Sequence, residues 1–302
     1  AAGGVLGVDI GSSAASVAAG FNGKLSLHTY PQFGLGETLG ALLQHTDIES
    51  IMRWLPLDIP APAVRDYLFQ KSLYPSIIPA TVEEQAVAQA VTRQNLYLAM
   101  QASRRDFPSD ARAPRPDLMP LFELIIAGGG ALADAPTLGQ SLLLLLDAIQ
   151  PAGFTHFMLD RAGLLPLLGV SAELNNILPV QALESGAFQN LGTAISVVAN
   201  AAYGTPVLRA RMVDANKNES NIEVKYGGLE AFPLGPGESA TLSLQPLNRA
   251  DAGFGPGRAQ TVTVGGGALG VVIDARGRPL QLTDDPVRRR DLMKKWLWTL
   301  GG

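Results

Sequence analysis

Cysteine is absent from the 302 residues, which removes disulfides, thiolate metal sites and a cysteine nucleophile together and fits a reducing compartment. Histidine is scarce: His28, His45 and His156 cannot build a His-rich metal centre. No Ser-His-Asp set or His-Glu metal spacing is visible, so a hydrolase or metalloenzyme reading is poor. Charge is low, with 17% Asp, Glu, Lys and Arg against about 25% in an average soluble protein, while hydrophobic residues reach 47%. Part of such a surface is expected to meet another protein. The net charge of −4 argues against a dedicated nucleic-acid binder, which would show a basic face. Long hydrophobic runs are missing too. The leucine run 142–146 stops at Asp147 and residues 164–170 are broken by Pro166, both far short of the roughly 20 apolar residues that span a bilayer. Residues 1–4 offer no basic region and 5–8 are too short for a signal sequence. The expectation is a cytoplasmic protein with no membrane or nucleic-acid partner.

What the chain has in excess is glycine and proline, 33 and 21 residues, above a usual combined share of about 12%. They follow no period and read as turns. Charge divides the chain at Gly204: residues 1–204 carry 10 Lys/Arg and 17 Asp/Glu, net −7, and residues 205–302 carry 13 and 10, net +3. Texture divides there as well. In the first part, 5–10 and 14–21 read as strands, and Asn22-Gly23 as a type I′ hairpin turn into a third at 24–29. Thr81 and Glu84 form a capping box ahead of a helix reaching about Arg104. Residues 106–120, with four prolines, read as a loop, 122–127 as a strand, 138–149 as an almost wholly apolar core helix, 154–160 as a strand and 163–168 as a short helix. This alternation predicts an α/β layered domain. Beyond Tyr203, short β-branched runs at 207–213, 221–226, 239–245, 260–264 and 269–273, with a further run at 280–283, predict a β-sandwich or barrel closed by a C-terminal helix.

Two motifs carry candidate chemistry. In Val8-Asp9-Ile10-Gly11-Ser12-Ser13 a buried strand delivers a carboxylate for hydrated Mg²⁺, Gly11 lets backbone N–H groups approach a phosphate, and the serine hydroxyls add donors. The plain alternative is that Asp9 caps a turn and Gly11 supplies a positive φ. In Ile125-Ile126-Ala127-Gly128-Gly129-Gly130 a buried strand ends in consecutive glycines, as needed where backbone presses flat against an adenine or ribose. Its plain alternative is an ordinary strand-to-helix turn. Together, and in this order, the two are far more specific than either alone.

That pair resembles the actin-like ATPase superfamily, in which Asp-x-Gly hairpins clamp the phosphates of ATP and a Gly-Gly turn holds the adenosine. The run from Leu145 through Asp147 and Gln150 to Gly153, the Leu159-Asp160-Arg161 step, Leu164-Leu165-Pro166-Leu167-Leu168-Gly169 and Asp274-Ala275-Arg276-Gly277-Arg278-Pro279-Leu280 narrow the resemblance to the MutL family associated with adenosylcobalamin-dependent glutamate mutase. That family is distinct from the mismatch-repair protein of the same name. The resemblance implies an actin-like, ribonuclease H-like α/β domain over residues 1–204 followed by a β-rich domain over 205–302. It also implies an ATP-dependent chaperone or reactivating factor, leaving ATPase activity of a full-length protein open. Asp9 would then serve as the catalytic and Mg²⁺-positioning carboxylate. Gly11, Ser12 and Ser13 would bind phosphate, and Gly128, Gly129 and Gly130 would line the ATP site. Family members run to about twice this length, so the chain looks like a C-terminal half whose partner is the missing N-terminal half or another subunit, a cobalamin-dependent mutase among the candidates. Ser12-Ser13-Ala14 stands where many superfamily members carry Gly and Thr.

The low charge and the two serines also motivate a non-catalytic interaction module that keeps the fold without nucleotide. A small-molecule kinase ranks last, for want of a catalytic Asp over an acceptor hydroxyl. Asp147 and Asp160 read first as caps or turn residues, and His156 as a satisfied core histidine. Arg288-Arg289-Arg290 reads as a solvated face of a terminal helix that turns Leu292, Trp296 and Leu300 inward.

Overall fold

The computed structural model describes residues 3–301. The chain opens with three antiparallel strands, β1 (Gly4–Ile10), β2 (Ala15–Phe21) and β3 (Lys24–Tyr30). Asn22 and Gly23 both adopt positive φ between β2 and β3, as a type I′ turn requires. After two short 3-10 segments come α1 (Ile48–Met52), α2 (Ala61–Leu73) and α3 (Val82–Ser103). Thr81 starts α3 as expected: its hydroxyl accepts from the Glu84 N–H at 3.1 Å, and the Glu84 carboxylate accepts from the Ala80 N–H at 2.6 Å. Next follow β4 (Phe122–Gly128), the single turn α4 (Gly130–Ala133), α5 (Leu138–Ile149), β5 (Gly153–Asp160), α6 (Leu164–Ala172), α7 (Ile177–Glu184) and β6 (Gln189–Ser196). The remainder is β7 (Pro206–Asp214), β8 (Glu219–Lys225), β9 (Leu229–Phe232), β10 (Ser239–Pro246), β11 (Gln260–Gly265), β12 (Val271–Asp274) and α8 (Pro286–Thr299).

These strands make an eight-stranded mixed sheet, ordered β3-β2-β1-β4-β5-β6-β12-β9, and a four-stranded antiparallel sheet, ordered β11-β10-β7-β8. Strands β1, β4 and β5 run parallel. The predicted α/β layering is therefore present. The β-rich stretch differs from its expectation: its strands do not close into a sandwich or barrel of their own, because β9 and β12 leave them to extend the large sheet beside β6. Residues 280–283 form no strand. In β12 all four residues, Val271 to Asp274, are buried, so burial on both faces selects an interior position in the larger sheet.

One face of β1 and β2 supplies Leu6, Val8, Ile10, Val17 and Ala19 to the main core, under α3 and α5. Leu142 to Leu146 on α5 are each no more than 2% exposed, and at roughly 1.5–3 kcal/mol per buried leucine this helix is a principal source of stability. The opposite face of the hairpin strands is open, with Val5, Leu25 and Leu27 exposed. Helices α6 and α7 are also open: neither has a buried residue, and Leu167, Val170, Leu174 and Ile177 face solvent. Of the residues expected to turn inward, Trp296 on α8 and Leu300 just beyond it are buried, whereas Leu292 is half-buried and its neighbour Met293 takes the core position.

A buried ion network joins the middle of the chain to its C-terminal part. Asp147 on α5 accepts from Arg93 Nε on α3 at 2.8 Å and from Arg276 at 2.6 Å. Asp274 accepts from Arg276 Nε at 2.9 Å and from Arg278 at 2.5 Å. Arg278 Nε also donates to the Pro151 carbonyl at 2.9 Å, and Arg276 lies under the Trp296 ring at 4.8 Å. Asp147 is thus neither a cap nor a turn residue; it is the centre of a buried cluster whose partner lies 129 residues away. Burial opposes ionisation of Asp274, but the charges and hydrogen bonds of Arg276 and Arg278 outweigh it and hold the carboxyl below the usual carboxylate range.

Removing a carboxylate from this network leaves buried arginines without a counter-charge, so Asp274→Asn is expected to cost about 3–5 kcal/mol in urea unfolding at pH 7. Arg209→Ala, which breaks an exposed pair with Glu223, should leave the midpoint nearly unchanged. Because Asp274 is depressed on folding, its contribution is present above the ordinary carboxylate range and is lost as pH falls below about 4. The Asp274→Asn penalty should shrink over the same acid range.

Candidate functional site

The site grows from strand alternation. Leu6, Val8 and Ile10 of β1 point into the core, so Asp9 emerges on the other face, half-buried at the strand's end. The sheet register pairs Asp9 with Gly128 on β4, and Gly128 with Asp160 on β5. Two carboxylates therefore flank one glycine across the ends of three parallel strands. A Cβ at residue 128 would sit 2.8 Å from Asp9 Oδ2, so a side chain there would displace the Asp9 carboxylate. Gly129 has φ near +102°, and a Cβ there would collide with the Ile10 carbonyl. The glycine run thus brings β4 tight against the end of β1, as close backbone approach requires.

The two carboxylates have different duties. Asp160 accepts from the Ala162 N–H at 3.2 Å and the Leu165 N–H at 2.8 Å, capping the start of α6 as expected. Asp9 has no hydrogen-bond partner among the described residues. Burial first, and then the nearby Asp160 charge, raise the Asp9 pKa above the ordinary aspartate value.

Beyond Asp9 the Gly11 N–H donates to the Ala14 carbonyl at 2.9 Å, closing the turn through Ser12 and Ser13. The Gly11 and Ser12 carbonyls accept from Leu35 and Gly36 at 2.9 and 2.8 Å, which anchors the turn from outside the hairpin. Ser12 and Ser13 are exposed, and their N–H groups are unpaired among the described residues. A cavity of about 280 Å³ touches Gly11, Ser12, Gly130 and Ala131, with Lys71 and Gln89 on its other side. The structure therefore brings both sequence motifs to one place. Gly11, Ser12 and Gly130 line the cavity; Asp9, Gly128 and Gly129 form the strand ends beside it; Ser13 lies off it on the exposed turn.

Sequence reasoning missed Lys71, whose ammonium donates to the Pro75 and Ile77 carbonyls at 2.7 and 2.5 Å and whose pKa is lowered by burial. Its helix α2 buries only Val64 and Leu68, a pattern too thin to mark a site wall. His156 meets Thr193 Oγ1 at 3.2 Å across β5 and β6, and burial lowers its pKa, an ordinary half-buried histidine. No group of three or more His, Cys, Asp or Glu able to hold a metal ion exists among the described residues. No helix among the described residues is long and apolar enough to cross a membrane.

Fold and site together define a mixed α/β protein with a carboxylate-and-glycine cleft at the ends of its parallel strands. The family model described as MutL protein matches residues 1–186, more than half of the chain. The chain belongs to the MutL family, the one associated with glutamate mutase. No curated protein matches it.

Because folding raises the Asp9 pKa, ionisation of Asp9 costs stability as pH rises from the unfolded carboxylate range through its folded value. Asp9→Asn should therefore raise the urea midpoint at pH 7, with the gain vanishing below about pH 4. Gly129→Ala should lose at least about 3 kcal/mol, since strain at positive φ adds to the collision with Ile10.

Proposed function

We propose that this chain is the nucleotide-binding part of an ATP-dependent reactivating factor acting on a cobalamin-dependent mutase, built on an actin-like fold. Membership of a mutase-associated family supports the setting. The strand order β3-β2-β1-β4-β5, antiparallel from β3 to β1 and parallel across β1, β4 and β5, supports that fold. The observation that carries the reading is that sheet register sets Asp9 against Gly128 at the strand ends, while Gly11, Ser12 and Gly130 from the adjoining turns line one cavity beside them.

The residues fit the group. Mg²⁺ keeps several waters and takes one or two carboxylates together with phosphate oxygens, and the unpartnered Asp9 beside Asp160 offers that donor set. Unpaired Ser12 and Ser13 N–H groups suit phosphate oxygens, and Gly130, uncrowded on the cavity wall, is where an adenosine would lie. When bound, the ion would supply charge neutralisation to the phosphates. Asp9 would orient its water shell, and the Gly11 turn would fix the phosphate register. We assign closure of the cleft to a second protein lobe. Asp160 accepts from the Leu165 N–H in the first turn of α6, and the exposed apolar α6–α7 pair that begins there is favoured as the contact for that lobe.

A second reading, an interaction module without nucleotide, draws on the cavity volume of about 280 Å³, just under the roughly 300 Å³ at which ligand pockets begin. Calorimetric titration of the protein with ATP and Mg²⁺ separates the two. Binding that falls at least tenfold in Asp9→Ala supports the nucleotide reading. Equal binding by both proteins removes Asp9 from the site, and absence of binding in both favours the interaction module.

A further inference from the structure

A second cavity, of about 310 Å³, lies far along the chain from the cleft, between the start of α8 and the segments around Tyr203 and Tyr226. That volume reaches the range of small-molecule sites, roughly 300–1,000 Å³. Three arginines line it, Arg276, Arg288 and Arg289, with Tyr203, Tyr226 and Trp296, and no carboxylate among the described residues does. Arg288 and Arg289 have no carboxylate within ion-pair distance among the described residues, whereas Arg290, next along the helix, meets Asp58 at 3.0 Å.

We propose that this cavity binds a small molecule bearing a phosphate monoester, held by Arg276, Arg288 and Arg289. Three further observations bear on it. The buried network behind the cavity contains three arginines, Arg93, Arg276 and Arg278, against two aspartates, Asp147 and Asp274, so one positive charge is left over where water is excluded. An uncompensated buried charge is costly, and an anion beside Arg276 offsets it. Arg289 Nε is buried without a hydrogen-bond partner, although its NH1 donates to the Thr283 carbonyl at 3.0 Å. Arg288 and Arg289 also occupy the first turn of α8, where the helix dipole disfavours cations and the N-cap carboxylate of Asp285, which accepts from the Arg288 N–H at 3.2 Å, is the one acidic group at the turn among the described residues. That placement works against the helix and suits a bound anion.

The aromatic rings hold the guanidiniums in place. Arg288 stacks on Tyr203 at 4.8 Å and Arg276 on Trp296 at 4.8 Å, while Trp296 Nε1 is anchored to the Gly227 carbonyl at 2.9 Å. Planar guanidiniums fixed this way match the several oxygens of a phosphate better than a single carboxylate. The volume leaves space for an organic group beyond the phosphate.

The test is calorimetric titration of the protein with glycerol 2-phosphate, and with succinate as a carboxylate of comparable charge. Saturable binding of the phosphate ester, tighter than succinate and weakening with added NaCl, is expected. Arg288→Met and Arg289→Met should each weaken it at least tenfold, while Arg290→Met and Asp9→Asn should leave it unchanged. Arg288 is exposed, so its variant keeps the fold, which the thermal midpoint verifies. No binding at millimolar ester, succinate binding as tightly, or affinity unaltered in Arg288→Met would overturn the proposal. Loss of binding in Asp9→Asn would reassign the ester to the strand-end cleft and overturn it equally.

Discussion

Five charged side chains with almost no contact with water, Arg93, Asp147, Asp274, Arg276 and Arg278, tie helices α3 and α5 to the segment at the end of β12. The desolvation penalty of such a cluster is several kcal/mol per ion, and it is tolerable only where geometry and hydrogen bonding are complete. Here they nearly are: Asp274 receives both arginines of its own turn, and Asp147 receives one arginine from α3 and one from beyond β12. Hydrophobic burial of the α5 leucines supplies more energy but no address, since leucine packs against any apolar neighbour. The ion network supplies the address. It sets β12 beside β6 and ties the turn after α5 through Arg278 to the Pro151 carbonyl.

That turn leads directly into β5, and β5 carries Asp160 to its end. From there the sheet register does the remaining positioning, placing Asp160, Gly128 and Asp9 in one row. A slip of one residue in β4 would put a side chain against the Asp9 carboxylate and turn the strand's inward residues outward. The cleft therefore inherits its geometry from strand pairing, with flexible side chains contributing little. Asp9 is the exception, a carboxylate left without a partner inside an otherwise satisfied region. Stability is given up at that position, as is common where a group is reserved for a ligand.

The sequence disclosed local structure well and long-range structure poorly, for physical reasons. Strands β1 to β3 were legible because alternation and Asn22-Gly23 act within a few residues, and α3 because Thr81 and Glu84 cap it. The two site motifs were legible because each sits at a strand end. Strand β6 was not, since it lies between β5 and β12, is buried on both faces over much of its length and shows no alternation. Strand β9 has only four residues. The migration of β9 and β12 into the large sheet, and the pairing of Asp147 with Arg276, join segments that no local pattern connects. Lys71 escaped for the same reason, reaching the cleft through an insertion between β3 and α3 that carries no clean period.

Amide hydrogen exchange with and without Mg²⁺ and ATP tests the proposed nucleotide site in the cleft most directly. Slower exchange confined to residues 10–14, 71–79 and 128–134, the walls of the cleft, is the predicted result. Unchanged exchange throughout those segments at saturating nucleotide would contradict it.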